Sequence, residues 1–80
     1  MFYVYFLKSK KDSNLYIGRT NNITRRFCEH NAGSVPSTKS RKPFILLGYE
    51  TYETEKESVE KEVEFKKGYK REELRKRYSL

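Results

Sequence analysis

The sequence predicts an α+β fold, a small antiparallel three-stranded sheet flanked by helices in the order β-β-α-β-α-α. Three observations predict it. Two runs rich in aromatic and β-branched residues, "FYVYFLKS" (2–9) and "LYIGRT" (15–20), are separated by the polar turn "KKDSN". Two stretches of helical periodicity open on capping residues, Asn21 and Asn22 for one and Thr54 for the other, and stop near Gly33 and Gly68. The most apolar stretch, "FILLGYE" (44–50), lies between them. With 80 residues the chain makes one domain with a limited core.

In the first strand, Phe2, Val4 and Phe6 point to one face, and Tyr3, Tyr5 and Leu7 to the other. A turn centred near residues 11–12 sets Tyr5 opposite Gly18 and Leu7 opposite Tyr16 in an antiparallel hairpin. That register gathers Tyr3, Tyr5 and Tyr16 on one face, and Gly18 leaves space beside Tyr5. The first helix is expected from Ile23 to about Ala32, with Gly33 as its left-handed stop. Residues 34–43 form a polar loop holding both prolines. Residues 44–50 read as a central strand, because they are so apolar. Thr54 followed by Glu57 fits a capping box for a helix reaching about Lys67, and Gly68 breaks it. The last short helix, "KREELRKRY", has Leu74 as its one clear apolar anchor.

Charge is distributed unevenly. Residues 1–47 hold nine Lys/Arg against Asp12 and Glu29, whereas residues 48–80 hold nine of each sign, so the whole +7 surplus lies in the first part. Such one-sided basicity points to a polyanion, with nucleic acid the leading candidate. One cysteine, Cys28, allows no internal disulfide and fits a reducing, cytoplasmic setting. No apolar run approaches the roughly 20 residues that span a membrane, and the N-terminal residues lack a signal-peptide pattern. No protein partner can be inferred.

Both main helices carry charge where an apolar stripe is expected. Ile23, Arg26, Phe27 and His30 share one face of the first, and Val59, Glu62, Val63 and Lys66 one face of the second. Charged residues are seldom buried unless paired or liganded. Arg26 and Glu62 could tie the helices together as an ion pair, with His30 a satisfied boundary residue and the long side chains snorkelling to water. The sharper reading is a cleft where Arg26, His30, Glu62 and several tyrosines converge. Asp12 is the sole aspartate, which disfavours a two-metal acidic cluster, and one Cys with one His disfavours a zinc site.

"YVY" at 3–5, "YIG" at 16–18 and "TNNITRRFCEHNAG" from Thr20 together resemble the GIY-YIG nuclease family, in particular its small stand-alone bacterial UvrC-like endonucleases. The resemblance continues through "STKSRKPFILLGYE" and "ESVEKEVEFKK", so it spans nearly the whole chain. It implies cleavage of nucleic-acid phosphodiesters, DNA before RNA, with one divalent metal, Mg²⁺ or Mn²⁺. Position by position it implies Tyr5, Tyr16, Arg26 and His30 as catalytic residues, Glu62 as the metal ligand and Gly18 as the structural glycine of the site. Thr38, Lys39 and Arg41 match a basic loop of the subgroup and, with Lys42, are the expected nucleic-acid contacts. The chain departs from the family pattern at Tyr3, where glycine is usual, at Lys61, where arginine often precedes the glutamate, and at Lys70, where relatives tend to have glycine.

The implied chemistry leaves choices open. Arg26 offers a planar fork to the scissile phosphate. Tyr5 is the favoured general base, which requires positive charge nearby or a proton relay, since a free tyrosine has a pKa of about 10. His30 could be the base instead. Tyr16 would position water or phosphate. Two other classes of function stay open: a basic adaptor that binds nucleic acid without cutting it, and a structural protein whose Arg26–Glu62 pair only joins helices.

Overall fold

The computed structural model describes all 80 residues. Its elements run β1 (Phe2–Ser9), β2 (Leu15–Thr20), α1 (Ile23–Ala32), a 3-10 turn (Lys39–Arg41), β3 (Phe44–Tyr52), α2 (Glu55–Phe65) and α3 (Gly68–Arg77). The sheet is antiparallel with strand order β2-β1-β3, so the predicted α+β architecture and element order are those observed. No helix is long and apolar enough to cross a membrane.

The hairpin has the expected register, with Tyr5 opposite Gly18 and Leu7 opposite Tyr16. Ser9 shapes its turn: its hydroxyl accepts from the backbone N–H groups of Lys11 (3.1 Å) and Asp12 (3.2 Å). The alternation in β1 divides the interior into two cores. Val4 and Phe6 join Leu15, Ile17 and Leu74 beneath α2 and α3. Tyr5, Leu7 and Phe44 pack with Tyr16, Ile23 and Phe27 beneath α1. Leu74 is the buried anchor expected of α3.

Four expectations are corrected. The apolar segment after residue 43 is an edge strand, not the central one; β1 lies between its two partners, and β3 runs to Tyr52. Apolar content reports burial, and β3 spends part of its own on an exposed surface that includes Leu46 and Tyr49. A bulge accompanies this. Phe6 pairs with Gly48 and Leu7 with Leu46, which leaves Leu47 extra and switches the facing of every later β3 residue. Second, α2 is rotated from the expected stripe. Val59 and Val63 are 39% and 56% exposed, and the inward face carries Ser58 and Phe65, with Glu62 half-buried between them. Phe65 packs edge-on against Phe6 with ring centroids 5.1 Å apart, and one aromatic anchor outweighs two valines. Third, the helix break falls at Lys66 and Lys67, so Gly68 opens α3 rather than ending α2. Fourth, Arg26 and Glu62 do not pair. Arg26 Nη1 meets Glu29 Oε1 at 3.3 Å, while Glu62 meets Lys66 Nζ at 3.4 Å and Arg19 Nε at 3.8 Å. The structural ion-pair reading therefore loses its basis.

Candidate active site

The strand-to-helix corner after β2 aims the first wall of the site. Thr20 Oγ1 accepts from the Asn22 backbone N–H (3.1 Å), and Asn22 Oδ1 caps α1 by accepting from the Arg25 N–H (3.0 Å). Gly33 ends the helix at φ +77°, and its N–H bonds the His30 carbonyl. The far end is pinned by Asn31, whose amide exchanges two hydrogen bonds with the Phe44 backbone (2.6 and 3.2 Å). His30 is thereby held against the tyrosine face of the hairpin and is fully buried.

Tyr5 is the centre of the arrangement. Its hydroxyl lies 2.8 Å from His30 Nε2, and His30 Nδ1 lies 2.7 Å from Thr38 Oγ1. Thr38 in turn reaches the Val35 carbonyl at 3.5 Å. Only one proton arrangement gives all three buried donors a partner: Thr38 donates to Val35, His30 Nδ1–H donates to Thr38, and Tyr5 donates to the bare His30 Nε2. Arg26, Tyr16 and Glu62 also act on the Tyr5 hydroxyl. Burial is the largest influence and, with Tyr16, pushes the phenol up to about 12, while the Arg26 guanidinium beside it pulls the other way. Of the two alternatives, the positive charge is present in Arg26 but is outweighed by burial in the free protein, and the relay is the one with a geometry. Burial, then the charge of Arg26, depresses the proton affinity of His30, so its imidazole is neutral near pH 7.

The depressed His30 has a consequence for stability. The unfolded chain binds this proton at about its ordinary pKa of 6.5 and the folded chain only at lower pH. Stability from this group is complete above 6.5, falls as pH drops through that value, and levels off below the folded pKa. Urea unfolding at pH 7.5 and 5.5 should show this loss, and His30→Gln should reduce it.

Gly18 acts by having no side chain. A Cβ there would strike Cζ and Oη of Tyr5 and come within 3.0 Å of Tyr16 Cε2. Gly18→Ala should therefore destabilise the fold by about 1–3 kcal/mol, the usual cost of overpacking, and dislodge Tyr5 from His30. Denaturant titration measures the first effect and the His30 ring resonances the second.

The other expected residues divide. Glu62, with its side chain 22% exposed, is close enough to raise Tyr5 and carries only the two loose ion pairs described above. Thr38 is corrected: it is buried at 1% exposure and orients His30, so it cannot touch nucleic acid. Arg41 is committed to Asp12 (2.7 and 3.3 Å) and lies over the Phe44 ring, holding the loop to the hairpin turn. This pair draws Asp12 down to about 2. Lys39 and Lys42 are exposed. Arg25 is exposed too, whereas Arg26 is partly buried.

Sequence reasoning missed Arg19. It adjoins Glu62, and its Nε is buried with no hydrogen-bond partner. The signal was present in the alternation Leu15, Ile17, Arg19, where a guanidinium replaces a core residue.

No three His, Cys, Asp or Glu side chains come together as a metal cage. Glu62 is instead a single half-buried carboxylate near enough to Tyr5 to act on it, and such a lone group suits a hard, largely hydrated cation that completes its shell with substrate oxygens.

Comparison with known proteins shows the family. The GIY-YIG catalytic domain matches residues 1–78. A UPF0213 protein of Staphylococcus haemolyticus is 40% identical over 65 residues, covering 80% of this chain and 78% of that one. One from Clostridium perfringens is 41% identical over 68 residues, covering 84% and 72%. The solution structure of UPF0213 protein BH0048 from Bacillus halodurans superposes with a TM-score of 0.57 at 33% identity, covering 92% of this chain and 82% of that one. The chain belongs to the GIY-YIG family of nuclease domains.

Proposed function

We propose that this chain is a metal-dependent endonuclease that hydrolyses phosphodiester bonds by a one-metal mechanism, with DNA favoured over RNA on the family likeness alone. The observation that carries the reading is the Tyr5–His30–Thr38 chain, with Arg26 beside the Tyr5 hydroxyl and Tyr16 and Glu62 near enough to act on it. A pure binding module has no use for a buried phenol–imidazole chain beside a carboxylate.

Glu62 would hold one Mg²⁺ or Mn²⁺, which would supply positive charge to the phosphate oxygens. Arg19 and Lys66 compete for the same carboxylate, so the ion binds best once a phosphate offsets their charge. Arg26 forks onto the scissile phosphate and stabilises the charge that builds on its oxygens. Tyr16 positions the phosphate or the attacking water. That water gives its proton to Tyr5 Oη, and the Tyr5 proton passes to His30 Nε2, forming an imidazolium that Thr38 already orients. The relay lets a phenol with a pKa of about 12 act near neutrality without existing as phenolate beforehand.

The test is a panel of labelled duplex, single-stranded and flap DNA and RNA, each with Mn²⁺, Mg²⁺ or chelator. Cleavage of at least one substrate in metal and none in chelator is expected. Binding without cleavage across the whole panel would favour the adaptor.

A further inference from the structure

A groove of about 510 Å³ opens beside the active site, lined by Tyr3, Leu46, Tyr49 and the residues that start α1, Asn21 to Thr24. That size lies within the ~300–1,000 Å³ of small-ligand pockets. We infer that this groove is a base-binding subsite, in which an unpaired nucleobase of a single-stranded substrate stacks on Tyr49 while a neighbouring phosphate lies at Tyr5. The inference rests on the nuclease reading of the same face and adds its substrate class.

Four observations carry it. Tyr49 is 53% exposed on an edge strand, and Leu46 beside it is also exposed. The ring of Tyr3 meets Tyr49 edge-on, centroids 5.8 Å apart and planes at 80°. That T-shaped support fixes Tyr49 as a platform for a flat ring. Second, the bulge at Leu47 is what brings both Leu46 and Tyr49 to the Tyr5 face; in an unbulged strand they would face opposite ways. Third, no lining residue is charged, yet two carry oriented amides. Asn21 Oδ1 accepts from Arg25 Nη2 (3.1 Å) and Asn22 Oδ1 from the Arg25 N–H (3.0 Å), which leaves both side-chain NH₂ groups free to donate to base edges. Fourth, the groove is continuous with the site. Tyr49 is paired with Tyr5, and Tyr3 lies two residues along the same strand, about 7 Å away by strand geometry. That step suits the base of an adjoining nucleotide.

An acid-free, aromatic and amide-lined groove joined to a basic active-site face complements a polyanion with unstacked bases. Bases paired within a duplex cannot enter it, and every exposed base has a π-face to offer.

Anisotropy of labelled oligodeoxynucleotides in chelator, where no cleavage occurs, tests this, with 2-aminopurine in the strand to report stacking. Tyr49→Ala should weaken single-strand binding about tenfold or more and relieve 2-aminopurine quenching. Tyr49→Phe should keep both, and duplex affinity and thermal stability should not move. Unchanged single-strand affinity in Tyr49→Ala, or an equal loss on duplex, overturns the inference. So does a wild-type dimer that Tyr49→Ala dissociates, which would make the groove a self-association surface. Because these readouts need no metal, they fail or hold independently of cleavage. Base stacking without cleavage in metal would remove the nuclease reading alone.

Discussion

Glu62→Gln should abolish metal-dependent cleavage and leave the fold intact. Glutamine keeps the length and one oxygen of the side chain but removes the charge that would hold the cation. The loss should reach at least about 10²–10³-fold, the scale for removing one preorganised group that stabilises transition-state charge. Stability should change by less than about 1 kcal/mol, because the partners of Glu62 are loose, partly exposed ion pairs at 3.4 and 3.8 Å. Single-turnover cleavage in Mn²⁺ and thermal unfolding of the same preparation check both halves. A variant that cuts like wild type removes Glu62 as the ligand. One that unfolds would show that the carboxylate is needed for folding.

Arg26→Ala should lose about 10²–10³-fold in single-turnover rate while Arg25→Ala stays within a few-fold of wild type. The two arginines are adjacent in sequence but about 100° apart around α1. Arg26 lies beside the Tyr5 hydroxyl and is steadied by Glu29 at 3.3 Å. Arg25 is exposed, and its guanidinium bonds only Asn21. Its backbone N–H, which receives the Asn22 cap, survives truncation of the side chain. Both variants should bind nucleic acid with modest losses, since each gives up one phosphate-attracting charge among many. Equal loss of turnover in the two would place the wrong arginine in the site.

Local chemistry was readable from the sequence, and long-range choices were not. The Asn22 cap and the Gly33 stop depend on neighbours a few residues away and the Tyr5–Gly18 register on one short hairpin turn, and all three stand as expected. The strand order does not. A β1–β2 hairpin lets a third strand add beside either β1 or β2, and apolar content alone favoured a central place for β3 that the hairpin pairing itself forbids. The facing of α2 depended on whether Phe65 or the two valines won the contact with the sheet, and it is Phe65 that packs there, on Phe6. Within the site, strand alternation put Tyr5 on the tyrosine face and helical spacing put His30 on the Ile23–Phe27 stripe; it was the family resemblance that joined the two, which lie 2.8 Å apart. Thr38 was misread because its role exists only once the loop folds back onto α1.

The central claim is that Tyr5 takes a proton during metal-dependent cleavage and hands its own to His30. Single-turnover cleavage by wild type and Tyr5→Phe, on whichever oligonucleotide of the panel is cut, tests it most directly. In Mn²⁺ wild type should cut and Tyr5→Phe should be slower by about 10²–10⁴-fold, the range for a lost general base, with binding unchanged and no product from either in chelator. Full activity in Tyr5→Phe would contradict the account and move the base to another group.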